Sequence, residues 1–290
     1  AEVVEELGLG MGVGSQRAAI ENSNLEYTFK VVREKAPTAP IIGNIGVTQL
    51  VSGYTIREVV KAIEMIDADA IAVHLNPAQE VFQIEGDKRF TNAIRKIIEL
   101  AEELEKPVIV KETGCGISME VASKLASSKI LGFDISGAGG TSWIIVEMIR
   151  VAKRGFKILE EVAKTFTNWG NPTVVSIIET RYAARDKLII ASGGLRSGLD
   201  IAKSIALGAD LGGIGLPVLK YAVKGKEELR NYLEKLILEL KIAMFLTGSK
   251  NIDDLRKTPI VLDVPIRNWI EMRGIDIRDY LYKYRVRGQH

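Results

Sequence analysis

The side chains able to do chemistry gather in a few short polar or glycine-rich stretches. The densest is His74-Leu75-Asn76-Pro77-Ala78-Gln79-Glu80. It puts an imidazole, two amides and a carboxylate on one loop that Pro77 stiffens, which suits a weakly polarised substrate beside one cation. Mg2+ is usually held by one or two carboxylates together with phosphate oxygens. Glu80 is therefore the candidate metal ligand, with His74, Asn76 and Gln79 at the reacting end of a substrate. The other histidine is the terminal His290, which argues against a catalytic zinc site. Ser192-Gly193-Gly194-Leu195-Arg196-Ser197-Gly198 and Gly212-Gly213-Ile214-Gly215 suit an anion instead. Glycines let backbone N–H groups approach a phosphate, and a following helix N-terminus favours negative charge. Lys111 closes the apolar run Val108-Ile109-Val110. It reads as a cation beside a ring, with a Schiff-base nucleophile as the alternative.

Other motifs exclude more than they assign. The glycines of Gly8-Leu9-Gly10-Met11-Gly12-Val13-Gly14 miss the G-x-G-x-x-G spacing and run through a strand, so they read as close approach to a flat ligand. There is no P-loop and no G-x-S-x-G. Cys115 is the single cysteine, which rules out an internal disulfide and a multi-cysteine zinc site and leaves a small loop residue.

These stretches must be positioned by the elements before them. Apolar runs at 10–14, 41–46, 70–75, 107–111, 130–135, 187–191 and 211–215 read as strands covered on both faces. Helical patterns at 55–66, 91–105, 119–127, 172–184 and 199–206 alternate with them, the fourth having Asn171 as N-cap and Pro172 in its first turn. Such alternation means parallel strands with right-handed crossovers. Nearly every strand ends in a polar or glycine-rich loop, as on the active face of a (β/α)8 barrel. The fold class expected is thus α/β, a TIM barrel. Seven strands are counted where closure needs eight, so the first is expected upstream of Ala1, with residues 1–7 ending a helix. Residues 1–222 read as barrel core and 223–290 as a C-terminal helical extension of the same domain. The extension should hold a long helix at 227–247, short ones at 251–257 and 266–272, and a basic, tyrosine-rich tail at 276–290. That tail reads as solvated surface or a subunit contact.

Composition narrows the class. The chain has 290 residues, 47% hydrophobic and 26% charged, with a net charge of +2. It is long enough to bury a large core, has no basic excess for nucleic acid, and has no apolar run near the ~18 residues of a membrane span. A cytoplasmic enzyme is expected, with no nucleic-acid or membrane partner.

The ordered blocks resemble the type 2 isopentenyl-diphosphate isomerases. They are Gly14-Ser15-Gln16-Arg17, Asn44-Ile45-Gly46, the segment 74–80, Val110-Lys111-Glu112-Thr113-Gly114, residues 134–143, Asn168-Trp169-Gly170-Asn171-Pro172-Thr173 and residues 192–198. The resemblance implies an FMN-dependent TIM barrel that interconverts isopentenyl and dimethylallyl diphosphate with reduced flavin and Mg2+, with NAD(P)H as reductant, as a homo-oligomer. It implies that Ser15, Asn44, Lys111, Ser136 and Thr141 line the flavin, and that Gly193, Gly194, Leu195, Arg196, Gly215 and Leu216 hold its phosphate. Arg17, with Ser15 and Gln16, would bind the substrate diphosphate, and Glu80 would bind Mg2+. His74, Asn76 and Gln79 would surround the reacting carbons. The family's Arg-Lys pair and Thr-Gly-Met-Thr-Gly-Gly stretch are expected upstream of Ala1. Two competing readings are an FMN-dependent 2-hydroxy-acid dehydrogenase or oxidase, and a non-catalytic flavin- or phosphate-binding barrel.

Overall fold

A computed structural model describes residues 1–288; Gln289 and His290, the end of the basic tail, lie outside the described residues. The chain forms two compact units. The first holds Ala1–Lys111 and Ser128–Leu131, and the second holds Glu112–Ser127 and the chain from Gly132 onward.

In the first unit β1 (Met11–Gly12), β2 (Ile41–Gly46) and β3 (Ala70–Leu75) pair in parallel, with Met11 opposite Ile41 and Gly46 opposite His74. The Ile71 N–H bonds the Pro107 carbonyl just before β4 (Val108–Glu112). Ile41, Ile45, Ile71, Val73 and Val110 are all buried, as expected of strands without polar alternation. The helix Ile56–Met65 starts at Thr55, whose hydroxyl accepts a first-turn N–H while Glu58 reaches back to the Thr55 N–H. This capping box satisfies two donors that a helix start leaves open. Loop residues 77–80 form one helical turn with Pro77 at its start, rather than the irregular loop expected. A ring that fixes φ suits that position.

In the second unit β5 (Gly132–Asp134), β6 (Leu188–Ala191) and β7 (Leu211–Gly212) again pair in parallel, Gly132 with Leu188 and Ala191 with Gly212. The helix Thr173–Ala183 begins one residue later than expected, with Pro172 at its N-cap. Asn171 uses its backbone elsewhere, donating to the Cys115 carbonyl and accepting from Ala138. Helices Trp143–Lys153 and Lys157–Thr165 were not anticipated. The three expected helices of the extension are present as Lys226–Leu246, Ile252–Lys257 and Val264–Met272. The first two pack on Gly198–Leu207 through Ala202, Ile205, Ala243 and Leu255.

The basic tail is a correction. It is not simply solvated surface, because Tyr280 is fully buried and Arg285 nearly so. The cause is the end of the helix Gly198–Leu207, whose last carbonyls have no partner within the helix. The Tyr280 hydroxyl donates to the Leu207 carbonyl at 2.6 Å, and Arg285 donates to that of Ala206 at 3.1 Å. Arg181, buried to 0% exposure, donates to Gly208 O at 2.9 Å and to Asp210 Oδ2 at 2.7 Å. Asp210 also accepts from Arg256 at 2.8 Å. Removing one partner of a buried pair strands the other charge, which costs about 3–5 kcal/mol. Asp210→Ala should therefore lower unfolding stability by about that much in urea titration. A loss below ~1 kcal/mol would show that the Arg181 guanidinium does not depend on it.

Candidate active site

The first unit brings together most of the side chains picked out for the substrate. Register places Asn44 and His74 at neighbouring strand ends, and the His74 Nδ1 lies 2.7 Å from Asn44 Oδ1. An amide oxygen only accepts, so Nδ1 carries the proton in that contact. Burial foremost, with the Lys111 charge beside it and against a backbone hydrogen bond at Ile45, lowers the His74 pKa to about 4. The ring is therefore neutral near pH 7. Gly46 leaves room for it, since a Cβ there would come within 2.9 Å of His74 Nε2.

Asn76 is buried and donates to Glu80 Oε1 at 2.8 Å and, more weakly, to Gln79 at 3.4 Å. Turning the amide over would set its oxygen against the Glu80 carboxylate, so this orientation is the sound one. It leaves Asn76 Oδ1 buried without a hydrogen-bond partner, a vacancy that a ligand donor or a water would fill. Glu80 Oε2 accepts from the Asp87 N–H at 2.7 Å. Each carboxylate oxygen keeps a second lone pair for a cation. No group of three His, Cys, Asp or Glu that could hold a metal occurs among the described residues. Glu80 therefore fits Mg2+ only in the manner of a site completed by phosphate oxygens and water.

Arg17 and Ser15 are exposed beside this cluster. The Arg17 guanidinium sits 2.8 Å from Glu21 in an exposed pair, weak enough to yield to a ligand phosphate. Its pKa is raised, chiefly by Glu21 and in smaller part by Glu80. Gln16 departs from expectation. It is fully buried, donates to the Ala62 carbonyl at 2.7 Å, and accepts from the Asn44 N–H at 2.9 Å. Both ends of its amide are used inside the fold, so it anchors the loop and presents nothing to a diphosphate.

The second unit builds the glycine-rich loops. Residues 136–140 and 192–196 lie backbone against backbone. Gly137 N–H bonds the Ser192 carbonyl at 2.9 Å, and Thr173 Oγ1 donates to Gly193 O at 2.5 Å. A Cβ on Gly193 would collide with the Gly137 backbone, and one on Gly194 with that of Gly139. Both glycines also have positive φ, +97° and +96°. Ser136 is buried with φ +36°, a strained conformation for a residue with a side chain. Thr141 follows on the same loop, half-buried.

Two features of the phosphate loop differ from expectation. Arg196 donates to the Gly194 and Gly139 carbonyls at 2.7 and 3.1 Å, clasping the two loops together. The start of helix Gly198–Leu207 is already filled, by the Asp200 carboxylate on the Arg196 and Ser197 N–H groups and by Glu239 on that of Gly198. The N–H groups of Gly194 and Leu195 meet no acceptor among the described residues, and a Cβ on Gly215 would meet open space. The loop thus fits a phosphate through its own backbone, rather than through the helix start. Leu216 is exposed at the beginning of the next helix. Sequence reasoning missed Glu112, whose carboxylate accepts backbone N–H groups from residues 113–116. Burial, with that carboxylate beside it, pushes the Cys115 thiol up to about 12, so it is no thiolate nucleophile.

The family of FMN-dependent dehydrogenases matches residues 49–262. An isopentenyl-diphosphate delta-isomerase of Sulfurisphaera tokodaii is 54% identical over 281 residues, 97% of this chain and 76% of that protein. The chain belongs to the isopentenyl-diphosphate delta-isomerase family, in its FMN-dependent type 2 form. A member from Ignicoccus hospitalis is also 54% identical, over 95% of this chain and 76% of its own length. One from Methanosarcina barkeri is 49% identical over 97% and 76%. Among solved structures, mandelate oxidase with benzoyl-formic acid aligns at TM-score 0.56 and 18% identity, covering 88% of this chain and 79% of that one. At that identity the likeness carries the fold alone, the α/β TIM-barrel class expected from the sequence. No helix among the described residues is long and apolar enough to cross a membrane.

The His74 ring should titrate at about 4. Following its Cε1 proton by NMR against pH checks this. A midpoint near the ordinary ~6.5 would mean that the ring is solvated and not buried against Asn44 and Lys111.

Proposed function

We propose that the chain interconverts isopentenyl and dimethylallyl diphosphate by a 1,3-allylic proton shift that needs reduced FMN and Mg2+. NAD(P)H as reductant, a homo-oligomeric state and a cytoplasmic location belong to the same reading and rest on the resemblance. The observation that carries it is a reacting end with no strong side-chain acid, where His74 Nδ1 is held by Asn44 Oδ1 at 2.7 Å beside the amides of Asn76 and Gln79. Moving the double bond adds a proton at one alkene carbon and removes another two carbons away, with no net redox change. Protonating an alkene needs a strong acid and a surround that tolerates positive charge. The side chains expected at the reacting end are a neutral imidazole and the amides of Asn76 and Gln79, which orient and do not donate protons of that strength. Reduced FMN, when bound, would contribute the acid chemistry and the tolerance of positive charge that these side chains lack.

The residues of this chain then have binding and orienting roles. Arg17 and Ser15 hold the diphosphate, and Glu80 holds Mg2+ against it. Asn76 keeps Glu80 in place with its Nδ2 and offers its unfilled Oδ1 to a ligand. Asn44 holds His74 by its Nδ1. In the second unit the backbone N–H groups of Gly194 and Leu195, with Gly193, Gly215 and Leu216, hold the FMN phosphate, while Arg196 clasps the loop that presents them. Ser136 and Thr141 face the flavin ring in this unit; the assignment of Ser15, Asn44 and Lys111 to the flavin rests on the resemblance. A 2-hydroxy-acid oxidase would want a histidine base beside a carboxylate-binding arginine. Arg196 is engaged with two backbone carbonyls, and His74 is the one histidine among the described residues.

Under anaerobic conditions the isomerase rate should be at least about 100-fold higher with reduced than with oxidised FMN, the scale of general acid–base catalysis. Equal rates would overturn the reading. Glu80→Gln should raise the Mg2+ concentration needed for half-maximal rate about tenfold or more, as expected of losing a charged ligand, with FMN affinity unchanged. Weakened FMN at unaltered Mg2+ dependence would remove Glu80 from the metal.

A further inference from the structure

A buried carboxylate outside the set of residues named for the reaction organises the cofactor loops. Glu112, at the end of β4, is only 5% exposed. Its Oε2 accepts from the backbone N–H of Thr113 at 2.7 Å, Gly114 at 2.6 Å, Cys115, and Gly116 at 3.2 Å. Successive N–H groups turned to one point form a nest that ordinarily takes an external anion. Here the chain fills the nest with its own side chain. Bonds from N–H groups to an ionised acceptor are stronger than neutral ones. They oppose, without cancelling, the desolvation that raises the pKa of Glu112.

The filled turn is tied directly to the loops that carry the phosphate glycines. Gly116 N–H donates to the Ser136 carbonyl at 3.0 Å, at the residue with strained backbone. The Cys115 carbonyl accepts from Asn171 N–H at 2.8 Å, and the Asn171 carbonyl accepts from Ala138 N–H, again at 2.8 Å. Gly137 N–H then reaches the Ser192 carbonyl. Contacts leave no slack along this route. A Cβ on Gly114 would lie 2.7 Å from the Thr141 carbonyl oxygen, and one on Gly116 would lie 2.9 Å from that of Asn171. Both glycines also have positive φ.

We propose that Glu112 is a positioning residue that presets the loops 136–141 and 192–196 for FMN by pinning the turn 113–116. Glu112 touches neither substrate nor cofactor and acts through backbone that it fixes before any ligand arrives. The proposal rests on the flavin reading above, and its test separates the two.

The test uses the full chain. FMN binding to wild type, Glu112→Ala, Glu112→Gln and Glu179→Gln is measured by flavin fluorescence, with thermal unfolding of each apoprotein. Glu179 is also a buried carboxylate, but its hydrogen bonds go to Met119 N–H and Arg273 and to none of these loops. Glu112→Ala should weaken FMN about tenfold, within the range of network positions that touch no ligand. Glu112→Gln keeps one acceptor of the same length and should recover most of that loss. Glu179→Gln should lower the unfolding temperature yet leave FMN affinity within about twofold, as a site not coupled to the loops would. Wild-type FMN affinity in Glu112→Ala, or an equal loss in Glu179→Gln, would overturn the proposal. Amide exchange on the wild-type apoprotein gives a reading that needs no variant to fold and no flavin to bind. The amides of residues 113–116 should already be protected without FMN. Exchange at the rate of open loop amides would overturn the presetting, and failure of wild type to bind FMN would sink the flavin reading alone.

Discussion

The second unit depends on two loops packed so closely that no side chain fits between them. Residues 136–140 and 192–196 meet through backbone; Gly139, Gly140, Gly193 and Gly194 each sit where a Cβ would strike the facing loop, and one on Gly137 would strike Thr173 at a helix start. Close approach of backbone to backbone is the circumstance in which glycine is worth its conformational cost. The contact leaves the N–H groups of Gly194 and Leu195 without an acceptor among the described residues. The local order has a cost, visible in the left-handed backbone of Ser136. Strain of that kind persists only where neighbours over-determine it, and here the neighbours are the turn held by Glu112 and the Thr173 hydroxyl on Gly193.

Behind the second loop, the helix Gly198–Leu207 is held at both ends by the C-terminal extension. Glu239 accepts from the first N–H, and the Tyr232 hydroxyl bonds the Arg196 carbonyl at 3.4 Å. Tyr280 and Arg285 take the last carbonyls. The extension thus acts as a frame for the loop. The first unit solves its own problem in the same currency of buried hydrogen bonds. Gln16 locks the loop after β1 to Asn44, and Asn44 holds His74. A neutral histidine follows from the burial that this chain of contacts imposes.

Much of this was legible in the sequence, because burial on both faces and helix capping leave local signatures. The apolar openings of β2 and β3 mark those strands, and the helical pattern at 55–66 marks Ile56–Met65 to within a residue. The short strands β1 and β7 shrink to two residues, since the flanking glycines at 10 and 14 and at 213 and 215 have low strand propensity. What the sequence concealed are polar groups whose partners are remote or are backbone. Gln16 looks like any ligand-facing loop amide until Ala62 is placed beside it. Glu112 gives no pattern because its four donors are N–H groups, which every residue has. Tyr280 and Arg285 resemble a solvated basic tail, and only the orphan carbonyls of a helix some 75 residues earlier explain their burial.

The interlock of the two loops is tested most directly by adding one methyl group to it. Gly193→Ala places a Cβ against the Gly137 backbone at a residue with φ +97°. FMN titration of that variant, with far-UV circular dichroism to follow the fold, should show at least about a tenfold loss of affinity with the secondary structure kept. Wild-type FMN affinity in Gly193→Ala would contradict the account, because the loops would then hold a phosphate without the close backbone contact assigned to them.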